Sequence, residues 1–204
     1  MKPKKCKYCK SEFDPVRPLQ QCCSFHCSVG YAKEQQEKKR AASWRQKKAR
    51  MKESIKSLSS YKKDLQIVIN QIVRKIDENF DCISCDKSEG RFDAGHRLSV
   101  KAYPNLRFNL LNNFKQCSWN CNHMLSGNPD KYDDKLIKLF GKEMQEHIRF
   151  GLNQKYLRLD LSKEQTKEAL RVARGILNTL EPAKTNRERI EKRIEINNKI
   201  GIYC

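Results

Sequence analysis

Residues 82–128 read CISCDKSEGRFDAGHRLSVKAYPNLRFNLLNNFKQCSWNCNHMLSGN, a loop with a cysteine pair near each end and a single Asp-x-x-His inside it. Cys82-x-x-Cys85 and Cys117-x-x-x-Cys121 have the short spacings at which two thiolates converge on one cation, and two such halves complete a tetrahedral zinc site. Zinc held by four thiolates is coordinatively closed and does not itself activate water. Any chemistry must come from the side chains that the loop presents. These are Asp93, His96, Arg97, Arg107, Asn109 and Asn112.

Their chemistry is coherent. His96 is a candidate general base, because an imidazole near its ordinary pKa takes a proton from water at neutral pH. Asp93, Asn122 and Asn128 offer the hard oxygen donors that Mg²⁺ prefers. Asn112 is a candidate to hold a ring nitrogen of His96, and either Arg97 or Arg107 to hold a phosphate by paired hydrogen bonds. Together they describe a one-metal phosphodiesterase site: a base that makes hydroxide and a metal, Mg or Mn, that stabilises the charge on the phosphate. Each residue alone has a plainer use, since loop asparagines cap turns and a histidine after glycine is more often structural. It is the order of the elements that favours a site.

A second cysteine set opens the chain. Cys6-x-x-Cys9 and Cys23-x-x-x-Cys27 again suit zinc, with Cys22 and His26 as alternative ligands, and no βαβ pattern supports a thioredoxin-like use of the CxxC. With no polar constellation beside it this site is expected to be structural, with Lys4, Lys5, Lys7 and Lys10 available to contact DNA. The N-terminus MKPKKCKYCK has no apolar signal core, so a reducing cytosol is expected and paired cysteines read as metal ligands.

Lys and Arg number 43 against 24 Asp and Glu, a formal charge of +19, which points to a polyanionic partner, nucleic acid before membrane. No apolar run is long enough to cross a bilayer. Residues 33–63 carry 12 basic and 3 acidic residues with almost no apolar periodicity, so they read as a basic helical or disordered arm. Leu65, Val68, Ile69, Ile72, Val73 and Ile76 then mark one buried stripe of a helix from about Asp64 to Glu78. Asn128, Pro129 and Gly141 bracket another helix, and a short one is expected over Lys142–Phe150. Ser162 and Gln165 form a capping box ahead of an apolar stripe that ends at Leu180, while the tail from Lys184 reads as charged and either frayed or helical.

The run of CISC, FDAGH, LRFNLLNNFKQC and CNHMLSGN, after a cysteine-bearing N-terminus and a Lys-rich arm, resembles the lambdoid-phage NinG (Rap) recombination proteins. The resemblance covers essentially the whole chain and is most specific from Cys82 to Asn128. It implies a structure-specific endonuclease that cuts branched recombination intermediates, Holliday junctions and D-loops. More distantly, the core resembles HNH or ββα-metal nucleases of the endonuclease VII kind, which implies His96 as base, Asn112 as its orienting residue and Asn122 as a metal ligand. One departure stands out: Gly95 occupies the position where that pattern carries its other ligand, so either Asp93 reaches the metal or another residue substitutes for it.

The expected architecture is therefore α+β: an N-terminal zinc knuckle (1–32), the basic arm (33–63), an HNH-like ββα-metal core around a four-cysteine structural zinc (64–151) and a C-terminal helical region (152–204). The expected activity is metal-dependent hydrolysis of branched double-stranded DNA in the bacterial host cytoplasm. A two-fold junction suits a two-fold enzyme, so a homodimer is expected, with the C-terminal stripe as one interface candidate. Recombination proteins are candidate further partners. The rival reading is a non-catalytic zinc protein that binds DNA or RNA; a redox protein using its CxxC pairs is a third.

Overall fold

Ser24 decides where the first long helix begins. Its hydroxyl accepts from the Cys27 amide at 3.2 Å, an N-cap that starts α1 (Phe25–Ser54) inside the first cysteine module. The computed structural model describes residues 2–203. Ahead of α1, a two-residue antiparallel ladder pairs β1 (Lys4–Lys5) with β2 (Glu12–Phe13) and frames Cys6 and Cys9. Cys27 is the one fully buried residue of α1, and Tyr31 packs half-buried against the same cysteine cluster. The basic arm is thus helical, and it grows out of the zinc knuckle without a break at residue 32. The chain divides into two compact units, Met1–Lys56 and Ser57–Cys204.

The second unit opens with α2 (Leu58–Ile76), capped by Ser57, whose hydroxyl accepts from the Ser60 amide at 3.2 Å. This helix begins a turn and a half earlier than its apolar stripe alone indicates, and it buries Tyr61 in addition to the six residues of that stripe. Next comes the hairpin of β3 (Phe92–His96) and β4 (Asn113–Cys117), paired antiparallel from Phe92↔Cys117 to His96↔Asn113. Short 3₁₀ turns at Pro104–Leu106 and Leu110–Asn112 interrupt the connection between the strands.

Cys117 leads into a wide, π-helical turn, Ser118–Met124. Then follow α3 (Pro129–Phe140), α4 (Lys142–Glu146), a second π-helical turn (His147–Gly151) and α5 (Leu152–Lys155). The bracket of Pro129 and Gly141 holds, but Asn128 sits at φ 45° and makes no side-chain cap. Last come α6 (Lys163–Thr179), with the expected Ser162/Gln165 capping box, and α7 (Asn186–Ile200).

Alternation along β3 divides the packing. Ala94 faces a core built by α2, α6 and α7, which includes Leu65, Ile69, Leu170, Ala173 and Ile196. On the other hand, Phe114, opposite Gly95, joins Tyr132, Leu136, Ile148 and Leu152 in a second core under α3. Each fully buried Leu or Ile contributes roughly 1.5–3 kcal/mol. The apolar stripe of α6 packs on α2, and residues 152–204 belong to the same compact unit as the hairpin.

The tail is helical, the second of the two forms expected, and one side of α7 is buried. Arg189 and Arg193 of α7 are 1% and 0% exposed and close on the equally buried Asp77, with Arg189 Nε at 2.9 Å and Arg193 Nη2 at 2.7 Å from its carboxylate. Asp77 Oδ2 also accepts from the Lys115 amide at 2.9 Å, and Arg193 Nε donates to the carbonyls of Leu110 and Asn113. Burial pushes the Asp77 carboxyl up, but the two guanidiniums outweigh it and hold the group below the usual aspartate range. Its contribution to stability is present above the unfolded value of ~3.9 and is lost as pH falls through the lower folded value.

Asp77→Asn strands two buried cations. Its unfolding free energy, from urea midpoints, is expected to fall by about 3–5 kcal/mol at neutral pH.

Candidate functional site

The two cysteine sets share one construction: a CxxC knuckle in a loop faces a CxxxC at the start of a helical turn. Cys117 caps its own turn, its Sγ accepting from the Cys121 amide at 3.3 Å, and so places the Cys121 thiol beside it. Cys6, Cys9, Cys23 and Cys27 form one group and Cys82, Cys85, Cys117 and Cys121 the other, with all thiols of a group within 4.8 Å of one another. Sulfur pairs at 3.5 Å (Cys23–Cys27), 3.6 Å (Cys9–Cys23) and 3.7 Å (Cys85–Cys117) approach the ~3.8 Å edge of a tetrahedron with Zn–S near 2.3 Å. The donor sets fit zinc. Cys22, though buried, and His26 stand outside the first group.

His96 closes β3, and its Nε2 lies 3.0 Å from the Arg107 carbonyl. A carbonyl only accepts, so Nε2 carries the proton and Nδ1 keeps the lone pair. Burial pushes the His96 pKa below the ordinary histidine value, with the Arg107 charge adding to it and the Arg107 carbonyl opposing it. Arg107 Nε donates to Gln66 at 3.0 Å, and its side chain lines a cavity of ≈ 350 Å³ with Lys62, Asn105, Phe108 and Arg158. Arg97 is occupied elsewhere, in a two-pronged bond to Asp133 at 2.5 Å. Of the two arginines, Arg107 is the one placed beside His96.

Asn112 does not hold the imidazole. It is fully buried, its Oδ1 accepting from the Leu98 amide at 2.8 Å and its Nδ2 donating to the Leu98 carbonyl at 2.9 Å, so both amide atoms pin the chain after β3. Asn109 is likewise internal, capping the 3₁₀ turn through the Leu111 amide. Asp93 and His96 are three positions apart and so leave opposite faces of the strand. Asp93 Oδ2 accepts from the Ser118 hydroxyl and lies 3.4 Å from Asn122 Nδ2. Asn128 turns away, its Nδ2 3.8 Å from Cys121 Sγ.

Asp93 and Asn122 are therefore together, whereas His96, Asn112 and Asn128 are each elsewhere. Among the described residues, only the cysteine sets bring three or more His, Cys, Asp or Glu ligand atoms together. One carboxylate on the far face of the strand does not fit a Mg or Mn shared with His96.

Gly95 has a local cause. A Cβ there would meet the Gln116 side chain, with Gln116 Cβ at 2.9 Å. The Gln116 amide crosses this space to donate to Ser84 Oγ at 2.5 Å and the Gly127 carbonyl at 2.6 Å, tying the hairpin to both halves of the zinc loop. Gln116, Lys62 and Arg158 carry no individual signal in the sequence: Gln116 lies inside the LRFNLLNNFKQC run, Lys62 is one of many lysines in the basic arm, and Arg158 belongs to no motif.

Fold and site define a mixed α+β basic protein with two four-cysteine groups suited to zinc. Its residues 1–182 match the family described as Bacteriophage Lambda NinG protein. The chain is 32% identical over 165 residues to Protein ninG of Escherichia phage 933W, covering 74% of this chain and 82% of that relative. It is 31% identical over 160 residues to Protein ninG of Escherichia phage lambda, covering 71% and 78% respectively. To Protein ninG of Salmonella phage P22 it is 33% identical over 148 residues, covering 65% and 72%. No solved structure matches it. The chain belongs to the NinG family of phage recombination-related proteins. No helix among the described residues is long and apolar enough to cross a membrane.

Metal analysis of the purified protein is expected to find about two zinc ions per chain, and about one in Cys82→Ser. Gly95→Ala is expected to cost about 1–3 kcal/mol in chemical denaturation, because Gln116 must leave its two partners.

Proposed function

We propose that this protein is an endonuclease that cuts branched DNA recombination intermediates, Holliday junctions and D-loops, with His96 as general base. The observation that carries the reading is the His96 Nε2 bond to the Arg107 carbonyl, which leaves an unprotonated Nδ1 on a ring kept neutral by burial. Residue 107 contributes its carbonyl to the base and its guanidinium to the adjoining cavity, which Lys62 and Arg158 also line. Lys62 and Arg107 bring to this cavity cations that suit a phosphodiester, while Arg158 there faces Asp160 at 3.9 Å; in this reading water deprotonated by Nδ1 attacks phosphorus beside them. The charge of +19 supplies salt-dependent affinity indifferent to sequence, as recognition of DNA shape requires. Two-fold junction geometry favours a dimer as the working form.

A second reading, a zinc-stapled protein that binds DNA without cutting it, is favoured by one fact. Asp93, Asn112 and Asn128 are each engaged within the fold.

Zinc-loaded protein and His96→Ala, each given a synthetic four-way junction with Mg²⁺, Mn²⁺ or chelator, separate the two. The nuclease reading expects wild-type cleavage and a loss of roughly 10²-fold or more in His96→Ala with junction binding retained. A junction that is bound and left intact by wild type leaves the binding reading standing. The acid limb of the cleavage rate is expected to turn over below pH ~6.5, because a base with a lowered pKa stays unprotonated until pH falls beneath the ordinary value.

A further inference from the structure

On the Asp93 face of the hairpin lies an arrangement that the proposed chemistry does not use. Trp119 and His123, four residues apart on the π-helical turn, stack with centroids 5.2 Å apart and planes 4° from parallel. The turn is anchored at its start and its middle, by Cys117 before it and Cys121 between the two rings. Trp119 is nevertheless 70% exposed. The two rings form one wall of a cavity of ≈ 450 Å³, and Lys87, Arg91, Asp93 and Asn122 line the rest.

We propose that the Trp119–His123 stack is a platform for an unpaired nucleobase of branched DNA, with Lys87 and Arg91 holding the adjoining phosphates. Every base has a π-face, so an aromatic platform accepts any sequence, and flanking cations track the backbone. Asp93 and Asn122, already joined to each other, line the same cavity as polar neighbours of the stacked base. Bases inside an intact duplex are stacked on one another and cannot reach the indole, whereas a branch point or a displaced strand offers one. The cationic rim favours a nucleotide over an apolar protein segment. The inference takes branched DNA as the partner from the reading above and needs no cleavage chemistry.

The test measures fluorescence anisotropy of the full-length, zinc-loaded protein with a labelled single strand and with a blunt duplex of the same length. Trp119→Ala is expected to weaken single-strand binding about tenfold, the loss of one base–aromatic stack, with duplex binding changed by less than about twofold. Trp119→Tyr is expected to restore most of the difference. An equal loss on both DNAs, or no loss on the single strand, overturns the platform.

The chain has 2 tryptophans, so Trp44→Phe leaves Trp119 as the only indole and gives a readout that does not disturb the turn. Its emission should be quenched by the unlabelled single strand and not by the duplex; unchanged emission also overturns the proposal. Junction cleavage by the same preparations keeps the two ideas apart. Cutting without discrimination between the DNAs removes the platform alone, and discrimination without cutting removes the nuclease alone.

Discussion

The second unit depends on one buried ionic contact. Asp77, at the end of α2, receives Arg189 and Arg193 from α7 and the backbone amide of Lys115 from β4. Two cations share this one carboxylate: Arg193 also satisfies the carbonyls of Leu110 and Asn113, and Arg189 donates to Asn186 while its Nη2 is left without a hydrogen-bond partner. Phe80, Phe114 and Phe140 surround the Arg189 guanidinium, so the ion cluster doubles as a packing element between the two apolar cores. The residues it joins lie 112 and 116 positions apart, which makes it the kind of long-range contact whose loop-closure entropy must be met before it stabilises anything. Helix α7 lies beyond the 182 residues matched to the family.

The hairpin explains why the candidate chemistry is divided. A strand has two faces, and His96 and Asp93 stand on different ones: His96 on the side of Ala94 and α2, Asp93 on the side of the π-helical turn. The four-thiol group of Cys82, Cys85, Cys117 and Cys121 sits at the open end of the ladder, opposite the His96 end, so it fixes the register of both faces without touching the base. His96 and the Trp119–His123 pair are thereby set on opposite sides of one hairpin, the first within the ladder and the second on the turn that follows it.

Much of this was legible because the signals were local. The spacing of the cysteines identified both four-thiol groups, Pro129 and Gly141 bracketed α3, and the Ser162 capping box started α6. The failures came where meaning is non-local. Arg189 and Arg193 sit in a run that looks solvated, because nothing in NRERIEKRIEINNKI reveals a carboxylate waiting more than a hundred residues earlier. Asn112 looked like a partner for His96 by motif order, yet its amide is used up on Leu98, a backbone partner that side-chain patterns do not record. Counting apolar residues could not reveal that α1 starts at Phe25, since what nucleates it is the Ser24 cap inside the cysteine module.

Gly95 and Gln116 carry a consequence for how such a chain changes over time. The space that a side chain at 95 would need is filled by the Gln116 amide, which links Ser84 to Gly127 across the thiol-bearing loops. An acidic residue beside His96 fits without strain only when position 116 is smaller, and making that change first loosens the loops. The two sites form an epistatic pair whose single-step paths both pass through a less stable intermediate. A lineage built on this packing is held to a glycine before its histidine by a glutamine on the neighbouring strand.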